Sequence, residues 1–413
     1  MKNPNAYRIY LAMSGIYSMA TMGIYTIVAI YYVQTVALNP LQLVLVGTAL
    51  EISAFLFEVP TGVLADTYSR RLSVIIGYAM IGFCFVIEGL VPLFSAIIVA
   101  EVIRGIGHTF VSGALEAWIA DEIGEEYVGQ AFLRGSQVGQ AGRFVGIIFG
   151  TALATIQLYI PVLLGGAILM ALSVVLLFVM PETGFQPITR TKHNSGQALR
   201  HTFRSGLVVA RQQPVVLMLL LVEIFFGAYS EGFDRLWEAH LLTNFQFPTL
   251  GSLQPVIWFG IINFVSSIIY VIVAEIIVRR LNLTNHAQLA KVLLFTNTFV
   301  ILGTIAFGLA GNFALAVVAF WLISIMRGIA APLVHTWLNQ SVDSQVRATV
   351  LSMVSQGNAF GQTVGGPVIG WIGTVRSLRT ALVIGATLLS PVLPLYGRAI
   401  VRDKSSKNHH FFM

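Results

Sequence analysis

Runs of about twenty apolar residues, broken by short polar stretches, recur along almost the whole of this chain. A hydrocarbon core of about 30 Å is crossed by roughly 20 residues of helix, so each run is long enough for one membrane span. Polar breaks place the spans near 8–33, 41–64, 72–94, 95–120, 131–157, 159–180, 215–243, 253–278, 289–310, 313–337, 348–372 and 378–400. Only 10% of the 413 residues are charged and 56% are hydrophobic, whereas soluble domains carry about a quarter charged. No stretch is left for a sizeable soluble domain. The expectation is an all-α membrane protein of twelve transmembrane helices.

The net charge of +6 raises the question of nucleic acid, and the placement of the basic residues answers it. Lys2, Arg8, Arg70, Arg71, Arg190, Lys192, Arg200, Arg204, Arg211, Arg279, Arg280, Arg347, Arg398, Arg402, Lys404 and Lys407 fall in the even-numbered loops and the termini. The intervening loops carry only Arg376 and Arg379. This asymmetry puts both termini and the even loops in the cytoplasm. Sequons at Asn282 and Asn339 then face inward and are chance matches. Cys84 is the one cysteine, which excludes an intrachain disulfide and a CxxC redox motif. No HExxH, GxSxG or Walker sequence occurs, so neither an enzyme nor direct use of ATP is expected, and no cofactor or metal site is read.

The sequence repeats itself. Ala65-Asp66 and Arg70-Arg71-Leu72 return as Ala274-Glu275 and Arg279-Arg280-Leu281; Arg104-Gly105-Ile106 returns as Arg327-Gly328-Ile329; Trp118 is matched by Trp337. Ser136-Gln137, Gly142 and Gly146 return as Ser355-Gln356, Gly361 and Gly365. These matches keep their order and fall on equivalent spans, as duplication requires. Two pseudo-symmetric six-helix bundles follow, 1–180 and 215–413, joined by a basic linker at 181–214 that is helix-compatible over 196–211. Parallel repeats of this kind hold a binding site between them near the midplane.

Gly62-Val63-Leu64-Ala65-Asp66-Thr67-Tyr68-Ser69-Arg70-Arg71 resembles the loop signature G-x-L-x-D-R-x-G-R-R of the major facilitator superfamily, with Thr67 for the usual base and Ser69 for glycine. The resemblance implies a cytoplasmic gate in which Asp66, Arg70 and Arg71 work with Asp121, repeated in the second half by Glu275 and Arg279. It also implies that spans 3, 6, 9 and 12 are outer supports and that the other eight surround a cavity. Glu58-Val59-Pro60-Thr61-Gly62, Ser112-Gly113-Ala114, Glu116-Ala117-Trp118 and the span-7 segment Glu231-Gly232-Phe233-Asp234-Arg235-Leu236-Trp237 are similar to the macrolide and tetracycline efflux branch of drug:proton antiporters. The span-4 motif R-x-x-Q-G-x-G is kept at Arg104 but has Gly107 at the glutamine position.

An ionisable side chain at bilayer depth costs several kcal/mol unless it is paired or hydrated, and is a functional candidate for that reason. Glu51, Arg104, Arg143, Glu223 and Arg327 fall near the midplane and none of them is in spans 3, 6, 9 or 12; these are the proton-coupling candidates. Arg104 has Glu101 and His108 at helical spacing. His108, Gln140, Asn263, Gln356, Asn358 and Gln362 are polar residues within spans and are candidates for the substrate cavity. In span 7, Glu231, Asp234, Arg235 and Glu238 share one helical face toward the outer mouth and are expected to be a solvated gate. Gly135, Gly139, Gly142, Gly146 and Gly150 form a small-residue ladder in span 5, which fits close helix packing.

The sequence therefore reads as a secondary active transporter working by alternating access. The resemblance narrows this to a monomer in a bacterial plasma membrane that exports amphipathic drugs in exchange for protons. A metabolite or lipid transporter is the alternative within the fold, and a non-transporting receptor or scaffold is the alternative outside it.

Overall fold

The computed structural model describes residues 2–187, 214–249, 255–280, 285–342 and 347–410. Among these, every regular element is a helix: α1 (Pro4–Tyr25), α2 (Val28–Gln34), α3 (Pro40–Thr67), α4 (Arg70–Leu90), α5 (Phe94–Val111), α6 (Ala114–Ile123), α7 (Glu125–Ala154) and α8 (Tyr159–Val179) come first. They are followed by α9 (Pro214–Asn244), α10 (Val256–Arg280), α11 (His286–Leu309), α12 (Phe313–Ser341), α13 (Arg347–Val375), α14 (Leu378–Leu389) and α15 (Val392–His410). Their starts are set by side chains that satisfy the free N–H groups of a first turn. Asn39 and Gln42 form a reciprocal capping box on α3, and Asn3, Ser69, Asn285, Asn312 and Ser377 cap other helices.

Among the described residues ten stretches are long and apolar enough to cross a membrane, where twelve were expected. The two expected spans outside that set are α7 and α13. Both have the length, at 30 and 29 residues. They fail on polarity: α7 carries Glu125, Glu126, Arg134 and Arg143, and α13 carries Gln356, Asn358 and Gln362. Spans 1, 4 and 12 are each divided in two. Span 4 breaks where Gly113 adopts φ +70°, a left-handed conformation that costs glycine little. The expected helix at 196–211 lies outside the described residues.

The chain divides into two compact units, Met1–Gln197 with Thr249–Phe264, and Ala198–Pro248 with Val265–Met413. In the first, α1 packs on α7, α3 on α5, and α4 on α8. In the second, α9 packs on α13, and α11 packs on α12, α14 and α15. The pairing of α1 with α7 is thus repeated by α9 with α13, as the internal duplication requires. Glycines make both seams: a methyl on Gly142 would overlap the Gly15 carbonyl, and one on Gly361 would overlap the Ile224 carbonyl. The span-5 ladder is therefore a packing surface, with Gly135 against Tyr10 and Gly150 against Gly23. A core of Met13, Tyr78, Trp118, Ile119 and Leu176 closes one end of the first unit.

Candidate functional site

Three polar clusters stand out against this apolar framework. The first joins the ends of α3, α4 and α6. Arg70 bridges Asp121 and, at 3.3 Å, Asp66. Helical spacing from Asp66 to Arg70 and the break between α3 and α4 aim the guanidinium across to α6. Arg71 turns away: its guanidinium donates to the Leu177 carbonyl and its backbone N–H to Glu182 Oε1 at 2.9 Å. Glu182 also accepts from the Ser69 hydroxyl at 2.7 Å.

Beside this junction Glu122 is caged. It accepts from Asn3 Nδ2 at 2.9 Å, Thr183 Oγ1 at 2.8 Å and the Gly184 N–H at 2.8 Å, and from the Thr183 N–H. Trp118 Nε1 donates to the Pro181 carbonyl at 2.7 Å. The segment leaving α8 is thus stapled to α6 and to the chain's start. Sequence reasoning missed Glu122 and Glu182, because their partners lie more than sixty positions away and half of them are backbone N–H groups. In the second half, Glu275 is exposed on α10, and the side chain of Arg279 lies outside those described.

The second cluster surrounds Arg104 on α5. Its Nε donates to Glu101 Oε2 at 3.0 Å, Nη2 pairs with the same carboxylate, and Nη1 donates to Tyr25 Oη at 2.9 Å. The guanidinium also lies 4.8 Å from the centre of the Phe85 ring. Its partner is therefore Glu101, one turn back, and not Glu51, which is half-buried on α3. Glu88 on α4, which the midplane argument did not pick out, is fully buried and accepts the Tyr32 hydroxyl at 2.6 Å. His108 and Gln140 are half-buried, while Arg143 is exposed on α7.

The third cluster belongs to the second unit. Glu223 on α9 accepts from Asn358 Nδ2 at 2.7 Å, and Asn358 Oδ1 accepts from Gln362 Nε2 at 2.6 Å. Glu223 also lines a cavity of about 80 Å³ with Asn297, His335 and Tyr396, room for about two or three waters at ~30 Å³ each. Gln356 reaches only Ser352 on its own helix, and Asn263 reaches Phe259. Two turns beyond Glu223, the expected solvated face of span 7 is corrected. Glu231 and Glu238 are buried, because the helix turns them into the unit's core with Leu236 and Trp237. Glu231 holds Arg235 at 3.0 Å. Asp234 leaves that face and pairs with Arg327 on α12, a contact that no helical spacing within α9 foretells.

Comparison with known proteins places the fold that carries these clusters. Residues 10–289 match the family model described as Major Facilitator Superfamily. An uncharacterized MFS-type transporter of Bacillus subtilis (strain 168), YxaM, is 23% identical over 393 residues, 94% of either chain. The crystal structure of the nucleoside transporter NupG superposes with a TM-score of 0.75 at 15% identity, covering 96% of this chain and 99% of that one. The peptide transporter POT in complex with sulfate gives 0.74 at 14%, covering 97% and 95%. The match over most of the length agrees with the duplicated helix packing, the Gly62–Arg71 loop and the intramembrane charges, and the chain belongs to the Major Facilitator Superfamily as an integral, multi-pass membrane transporter.

Proposed function

We propose that the chain is a secondary active transporter that works by alternating access and exchanges protons for amphipathic small molecules, exporting them from a bacterial cell. In this reading the protein is a monomer in the plasma membrane with both termini in the cytoplasm, and the Asp66–Arg70–Asp121 junction is the cytoplasmic gate. Fold does not fix substrate: the solved neighbours are named for nucleosides and peptides.

The observation that carries proton coupling is the partner of Glu223. A carboxyl that cycles between charged and neutral forms needs a neighbour that tolerates both. Asn358 meets that need, since an amide donates N–H to a carboxylate and accepts O–H from the acid with its oxygen. Among the described residues Glu223 makes no ion pair, and the small cavity beside it, which Asn297, His335 and Tyr396 also line, offers room for water as a proton carrier. Glu51, Arg143 and Arg104 belong to the other unit, and of these Glu51 is the second candidate for the coupling acid.

The test is transport in proteoliposomes under an imposed pH gradient, comparing wild type with Glu223→Gln, Glu51→Gln and the double variant. Glu223→Gln is expected to abolish gradient-driven accumulation while leaving substrate binding intact. Full pH-driven activity in the double variant would remove both acids from the mechanism.

A further inference from the structure

Arg327, in the third cluster, is held between aromatic rings on one side and a half-exposed aspartate on the other. Its guanidinium lies 5.4, 5.7 and 5.6 Å from the ring centres of Phe226, Tyr229 and Phe233, three residues on one face of α9. Those rings are themselves held. Tyr229 shares a 2.8 Å hydrogen bond with Thr304 and stacks on Phe233, which in turn packs on Phe307 and Phe320. Cation–ring attraction from desolvated aromatics keeps the guanidinium in place.

The two outer nitrogens of Arg327 reach the two oxygens of Asp234 at 2.5 and 2.7 Å. This is the fork geometry by which arginine recognises any planar carboxylate. The Asp234 side chain is 49% exposed against 20% for Arg327. An aspartate on the open side of a fixed fork can be replaced from that side by another carboxylate of similar geometry. The exchange keeps the guanidinium paired with a carboxylate throughout.

We propose that Arg327 is a binding site for the carboxylate group of an organic anion, and that Asp234 is its built-in competitor. The proposal rests on the reading of the chain as a small-molecule transporter and assigns that molecule a carboxylate. Phe226 supplies the apolar wall next to the fork and also lines the Glu223 cavity, so one ring borders both the anion site and the cavity of the acid proposed to carry protons.

The experiment measures benzoate binding to the purified full chain in lipid nanodiscs, with benzamide as the uncharged counterpart and benzylamine as the cation. A competitor that fills the site most of the time weakens apparent affinity by the fraction of time the site is free. Asp234→Asn is therefore expected to bind benzoate about tenfold more tightly or better, with benzamide unaffected, and Asp234→Glu is expected to stay near wild type. Arg327→Lys keeps the charge and loses the fork, so it should bind at least about tenfold more weakly than wild type. Should Asp234→Asn fail to fold, the Arg327→Lys comparison still decides. Equal benzoate affinity in Arg327→Lys and wild type, no gain in a folded Asp234→Asn, or preference for benzylamine would overturn the proposal. Because binding needs no gradient, a chain that binds benzoate as expected but moves no solute in liposomes would sink the transport reading and leave the site standing.

Discussion

Arg104 and Arg327 occupy the same place in the repeated Arg-Gly-Ile pattern of the two units, yet they are held in opposite ways. Arg104 is paired within its own helix to Glu101, with side-chain exposures of 3% and 0%. It adds the Tyr25 hydroxyl and the Phe85 ring to that pair. Arg327 is paired across helices to a half-exposed aspartate. Duplication supplied the same residue twice, and the neighbouring acids decided its use. In the first unit the acid lies one turn away on the same helix and both side chains are buried. In the second it lies on a different helix and at a surface. One arginine is a locked structural charge and the other is an exchangeable one.

Breaking the locked pair is expected to have the largest effect. Glu101→Gln leaves the Arg104 charge buried without its counter-ion, which costs about 3–5 kcal/mol where such pairs have been broken. The variant should melt far below wild type in detergent or fail to reach the membrane. A melting temperature within error of wild type would mean that Arg104 has another sufficient partner.

The glycine seams test the likeness of the units rather than their difference. Gly142→Ala and Gly361→Ala each force a methyl into a facing backbone carbonyl, and overpacking of this kind costs about 1–3 kcal/mol. Both should destabilise to a similar degree. A large effect in one unit and none in the other would show that the pairing of α1 with α7 and of α9 with α13 is not equivalent. Gly129 has no neighbour within 4 Å of an added methyl, so Gly129→Ala is the control and should stabilise α7 by up to about 1 kcal/mol.

Neutralising the exchangeable pair is expected to matter least for stability. Asp234→Asn removes a partner that solvent already screens, and exposed ion pairs contribute about 0–1 kcal/mol. Its melting temperature should stay close to wild type, well above that of Glu101→Gln. A loss as large as that of Glu101→Gln would place Asp234 in the same structural class as Glu101.

Much of this framework was legible along the chain. Span positions followed from apolar runs, and the duplication from short repeated patterns. The Asp66–Arg70 contact follows from helical spacing, and Asp121 was within reach once α6 was placed at the same end. What was not legible is long-range. The Arg327–Asp234 contact joins residues 93 positions apart, and the Glu122 cage closes onto backbone N–H groups that carry no side-chain signature. Depth counting missed Glu88 because it selected charges near the midplane and Glu88 lies toward the end of its span, where Tyr32 gives that carboxylate a buried partner. The face of span 7 was read as solvated because its four charges fall toward the outer mouth. Burial depends on what packs against a face, and Glu231 and Glu238 meet the interior of their own unit.

The contrast between the arginines is tested most directly by two double-mutant cycles run with and without saturating benzoate, one on Arg104 with Glu101 and one on Arg327 with Asp234. Thermal stability in nanodiscs supplies the coupling energy of each pair. The account predicts that the Arg104–Glu101 coupling is unchanged by benzoate, while the Arg327–Asp234 coupling falls to zero or changes sign as the ligand takes the aspartate's place. Couplings that are both indifferent to benzoate would contradict it.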